Sequence, residues 1–146
     1  DIVTIAYSNA GIPLWTNRYD GPNGEDDWGR AIAVDGSGNV FVTGRSIYSD
    51  GDRLHSYFVT IAYSNAGEVL WSNRYDGPVN YVGDGARAIA VDSSGNVYVA
   101  GYSSSTWGSP VRAYGGGAND AFVSVFDGTA FELLTQRQDL LETFYA

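Results

Sequence analysis

The chain has 146 residues, no cysteine or methionine and a net charge of −9, with 44% apolar and 17% charged residues. That is apolar enough for a packed core, so compositional disorder is excluded, as are a disulfide framework and a thiolate metal site. A pI near 4.2 argues against nucleic acid and anionic lipid as partners, since both select clustered Lys and Arg.

In chain order, residues 2–7 (IVTIAY) form the first predicted strand. They are β-branched and aromatic, and apolar on both faces, as suits a strand covered on both sides. A Ser-Asn-Ala-Gly turn leads to a second strand over 13–19, and Asp20-Gly21-Pro22 ends the pair. Residues 30–35 and 40–44 are the third and fourth strands, joined by a tight turn at Gly36-Ser37-Gly38-Asn39. Residues 45–56 are polar and Ser-rich and read as a longer loop. Strands then recur at 58–63, 68–75, 87–92 and 97–101, a second polar loop covers 102–119, and a last strand opens at Asp120. The tail, 130–146, admits two readings. Thr129 and Glu132 fit a helix capping box ahead of Phe131, Leu134, Leu141 and Tyr145; a hairpin around Arg137-Gln138-Asp139 fits as well.

Two segments of the chain are each written twice. Residues 2–22 and 58–78 are identical at 17 of 21 positions at an offset of 56, and 30–44 and 87–101 at 12 of 15 at an offset of 57. A period of this length, with four short strands in each unit, is the content of a propeller blade. Such a unit cannot bury its apolar faces alone. The expected fold is all-β, with about two and a half four-stranded antiparallel blades: a two-stranded partial blade over 1–28, a full blade over 29–78, and a third over 79–146 with a divergent tail. With no Met, residue 1 is expected to be a processed end, an artificial boundary or a cut from something longer, the repeat phase favouring the last two, and exposed blade faces are expected to recruit neighbouring blades or to self-associate.

The motif 31–44 (AIAVDGSGNVFVTG), its copy at 88–101, the acidic Gly-rich stretches before each, and the Asp120-Ala121-Phe122-Val123 opening resemble the bacterial and archaeal SBBP repeat, a seven-bladed-propeller type. Residues 123–134 are similar to an FG-GAP-type propeller repeat but lack its Asp-rich calcium loop. The resemblance implies an extracellular or cell-surface location and a propeller within a larger protein. It does not imply an enzyme.

The candidate chemistry is sparse. Asp35 with Asn39, and Asp92 with Asn96, are expected to pin turns, the carboxylate accepting turn N–H groups; calcium is the lesser alternative, since it needs 6–8 oxygens. Asp26, Asp27, Asp50 and Asp52 are weak calcium candidates, so no cofactor is expected and calcium is the exception to test. His55 is the only histidine, and no nucleophile elbow accompanies it. Trp15 and Trp71 occupy repeated positions and read as packing. The unrepeated aromatics Tyr48, Tyr81 and Trp107, together with the loops 45–56 and 102–119, are the candidate rim for a protein or glycan ligand. The leading reading is a non-catalytic adhesion or interaction scaffold. The alternatives are an accessory segment of a polysaccharide-active hydrolase or lyase, and a calcium-dependent adhesion module.

Overall fold

The computed structural model describes residues 1–75 and 83–103, and the backbone of 120–126. Nine strands run through these residues: β1 (Ile2–Tyr7), β2 (Pro13–Tyr19), β3 (Asp27–Val34), β4 (Val40–Ser49), β5 (Leu54–Tyr63), β6 (Val69–Tyr75), β7 (Gly85–Val91), β8 (Val97–Ser103) and β9 (Asp120–Phe126). All pairings are antiparallel and follow chain order, giving the sheets β1-β2, β3-β4-β5-β6 and β7-β8-β9.

The repeat is kept to the residue. Ile2 pairs with Tyr19 and Phe58 with Tyr75, and both hairpins slip register at the same place, between Ala6 and Tyr7 and between Ala62 and Tyr63. The inner hairpins share a second irregularity, between Gly29 and Ala31 in β3 and between Ala86 and Ala88 in β7. These are β-bulges, with one extra residue on the edge strand: Arg30 and Arg87. Opposite each bulge stands a glycine without room for a side chain. A Cβ on Gly44 would run into the Trp28 carbonyl, and one on Gly101 into the Gly85 carbonyl.

The expected loop over 45–56 is not a loop. β4 continues to Ser49 and β5 begins at Leu54, paired without interruption from Val40↔Tyr63 to Ser49↔Leu54. Only residues 50–53 turn. The polar composition misleads because Ser46 and Ser56 are buried and bonded: Ser46 Oγ donates to Asp27, and Ser56 Oγ accepts the Asp84 N–H at 3.1 Å. A small hydroxyl fits a sheet interior when its hydrogen bond is made there.

The sheets stack face to face, and β5 is central. Val59, Ile61 and Tyr63 point toward the first sheet and form a core with Ile2, Val40 and Val42, closed by Trp15 and Tyr19. Phe58 and Ala62, on its other face, join Phe41, Ala86, Val97 and Val99, with Trp71, Tyr75, Ile89 and Val91 packed against them. Every residue from His55 to Tyr63 is buried, which is why this strand reads as apolar on both faces. Trp15 and Trp71 are packing residues, each partly buried.

The first copy of the same strand is half covered. Val3, Ile5 and Tyr7 are 57%, 42% and 57% exposed, whereas their equivalents Val59, Ile61 and Tyr63 are at 0–1%. Ile32 and Val34 are likewise exposed where Ile89 and Val91 are packed. Identical side chains thus separate by context alone. Ile61→Ala is expected to cost about 2–5 kcal/mol, the usual range for emptying a core site, and Ile5→Ala at most about 0.5 kcal/mol. Urea unfolding of both variants reads the difference; equal losses would contradict this packing.

Candidate functional site

Among the described residues, the turns at 35–39 and 92–96 are closed by their own side chains. Asp35 Oδ1 accepts the N–H groups of Ser37 (2.8 Å) and Asn39 (2.9 Å), and Asn39 Nδ2 donates to Oδ2 at 2.8 Å. Asp92 does the same with Ser94 and Asn96, and additionally accepts the Tyr98 hydroxyl at 3.0 Å. Partial burial opposes ionisation of Asp35, but the bonds from Asn39, Ser37 and Gly38 outweigh it and hold the carboxyl below its ordinary value. Asp92 is lowered chiefly by the Asn96 side chain.

The turn at 64–67 receives the neighbouring sheet. Trp15 Nε1 donates to the Asn65 carbonyl at 3.1 Å, and Asn17 Nδ2 to the Gly67 carbonyl at 2.6 Å. Gly67 has φ +86°, and a Cβ there would strike the Trp15 indole. The equivalent Gly11, φ +75°, has open space around it. A left-handed glycine makes each turn, and only one of the two is in use as a seat for tryptophan.

A buried polar network lies at the other end of the second sheet. Asp27 accepts the Gly21 N–H at 2.8 Å and the Ser46 hydroxyl. Ser46 Oγ also lies 3.1 Å from the Tyr57 hydroxyl, which in turn receives Arg74 Nη1 at 3.3 Å. Burial, with Tyr57 adjoining, pushes the Tyr19 phenol up to about 12. Asp84 and Ser103, the counterparts of Asp27 and Ser46, are buried as well. Strand pairing of β1 with β2 sets Asp1 and Asp20 side by side at its end. Their carboxylates and that of Asp27 lie within 4.8 Å of one another, with Arg18 on Asp1. Asp26 is not in this group; it is exposed, and its backbone carbonyl takes the Ile47 N–H at 3.1 Å.

Asp50 closes the β4–β5 hairpin. Its carboxylate accepts the N–H groups of Asp52 (2.9 Å) and Arg53 (2.8 Å) and meets His55 Nε2 at 2.7 Å. The His55 ring is buried and stacks on Tyr48, centroids 4.5 Å apart. Tyr48, expected on a loop rim, therefore stands in β4, also tilted against Tyr57 at 5.9 Å. Asp52 is on the exposed tip. Tyr81, Trp107, most of the 102–119 loop and the tail with its helix-or-hairpin alternative lie outside the described residues.

Sequence reasoning missed Tyr57, Ser46 and the Asp1–Asp20 pairing. Ser46 and Ser103 recur at the same offset as Asp27 and Asp84, a signal that was present; the rest depends on which strands meet.

Sheets that meander in chain order and stack through a repeating core, with a tryptophan of one seated on a turn of the next, are blades of a β-propeller. Residues 15–51 and 83–106 match SBBP, described as a beta-propeller repeat. No curated protein matches the chain.

The hydrogen bond from His55, and then those from Arg53 and Asp52, hold the Asp50 carboxyl at about 2. A depressed folded-state value means that this carboxylate stabilises the fold fully above the unfolded value of about 3.9 and ceases to as pH falls toward 2. Carboxyl NMR titration should therefore place Asp50 near 2, and Asp50→Asn should make stability fall less between pH ~4 and ~2. A midpoint at the ordinary aspartate value would show that the hairpin tip is not closed this way.

Proposed function

We propose that this chain is a non-catalytic interaction scaffold of a secreted or surface bacterial protein, and that the open face of β1 takes a neighbouring blade, from a longer chain or a second copy. One observation carries this reading: the same strand face is sealed under Trp15 and Tyr19 in one copy of the repeat and open in the other. An uncovered sheet face of valine, isoleucine and tyrosine is a site for association. Several of the groups capable of acid–base work support the scaffold reading, since they already serve the fold. Asp35, Asp92 and Asp50 close turns, Asp27 anchors the Gly21 backbone, and His55 braces a hairpin. A protein or glycan ligand would then meet the unrepeated segments carrying Tyr81 and Trp107, because most repeated side chains described above serve turns or packing.

Sedimentation velocity tests the blade-docking part. The chain should self-associate in the micromolar range, and the pair Val3→Asp with Tyr7→Asp should abolish this. Leu14→Asp should leave it intact, because Leu14 and its counterpart Leu70 are both exposed, at 63% and 51%, with or without a neighbouring sheet. A wild-type chain that stays monomeric throughout that range would overturn the proposal.

A further inference from the structure

Among the described residues, the bulge arginine is a repeated charged residue with no carboxylate partner. Arg30 and Arg87 are the extra residues of matching bulges in β3 and β7, which are the edge strands of adjacent sheets and pack beside each other. Both side chains are exposed. Among the described residues no carboxylate pairs with either. A bulge re-aims the side chain it carries, and this one is built firmly, with Gly44 and Gly101 seated against the backbone opposite. The backbone geometry requires glycine across the ladder but asks nothing of the bulged side chain, so the bulge by itself does not call for arginine.

The surroundings add to the charge. Arg45, paired with Trp28 across the same end of the β3–β4 ladder, holds its guanidinium over the Trp28 ring at 5.5 Å, and its Nε is buried without an acceptor. Arg87 lies over the Tyr102 ring at 4.9 Å. Arg30 and Arg87 lie on the two edge strands and Arg45 on the adjoining β4, so three of the eight basic residues in a chain of net charge −9 stand on neighbouring strands. Aromatic faces beneath two of them limit the freedom of the guanidinium forks, which match carboxylates bidentately.

From this we infer a binding site for a small ligand with two or more carboxylates, one meeting each bulge. The size follows from the net charge. A long polyanion would meet the repulsion of the whole chain, whereas a small one feels chiefly the nearby forks. The site builds on the interaction-module reading and names a ligand class for it. A carboxylated sugar and a small organic acid share the chemistry, and the test separates them.

Calorimetric titration with digalacturonate and with citrate, at low salt, should show binding of at least one; preference for the first assigns a sugar acid, and for the second an organic acid. The methyl esters of both should not bind. Arg30→Gln and Arg87→Gln should each weaken binding about tenfold, the worth of a charge-assisted hydrogen bond, with unchanged thermal midpoints. Arg53→Gln, on the hairpin tip, should bind as wild type. Failure of both anions to bind, equal binding of the esters, or wild-type affinity in both bulge variants would overturn the site. A chain that self-associates through β1 yet ignores both anions would sink this inference and leave the scaffold reading standing.

Discussion

The structure depends on apolar contact between sheets that none of them makes alone. β5 presents Val59, Ile61 and Tyr63 to one neighbour and Phe58 and Ala62 to the other. Burial of such side chains is worth about 1.5–3 kcal/mol each relative to exposure. A four-stranded sheet with two apolar faces gains that only when both are covered, so the stack rather than the sheet is the unit of stability. Trp15 then sets the register of stacking, through a hydrogen bond to Asn65 and an indole laid over Gly67. Asn17, bonded to the Gly67 carbonyl, fixes the same register from beside it.

The polar groups work within this constraint. A sheet sealed on both sides leaves no water for a serine or aspartate, so each must find a partner in the stack. Asp27, Ser46 and Tyr57 do so by chaining their hydrogen bonds across β3, β4 and β5. The turns solve the problem locally: Asp35 and Asp92 satisfy their own backbones and leave little for a ligand. Of the acidic residues that look most like metal ligands in the sequence, Asp27 and Asp50 are committed to structure while Asp26 and Asp52 stay exposed.

The repeat match and the geometry agree at the level of blade architecture. Matches to a beta-propeller repeat at 15–51 and 83–106 fall on the strands and turns that the stacking uses. Propellers host many activities, so blade architecture leaves the ligand to be argued from side chains the fold does not need.

Repeat period, strand order, the turns of the repeated hairpins and the two-faced apolar strands were legible in the sequence, because they rest on local chemistry: glycine at turns, alternation, and near-identical copies. The packing role of Trp15 and Trp71 was legible for the same reason. What the sequence could not supply was context. Val3 and Val59 sit in the same local sequence, and only the neighbouring sheet makes one exposed and the other buried. The stretch 45–56 looked like a loop because serine and histidine are read as solvent-seeking, whereas Asp27, Asp84 and Asp50 draw them into a sheet from distant or adjacent positions. The bulges at Arg30 and Arg87 were invisible too, since a bulge is a mismatch between two strands and exists only once they are paired.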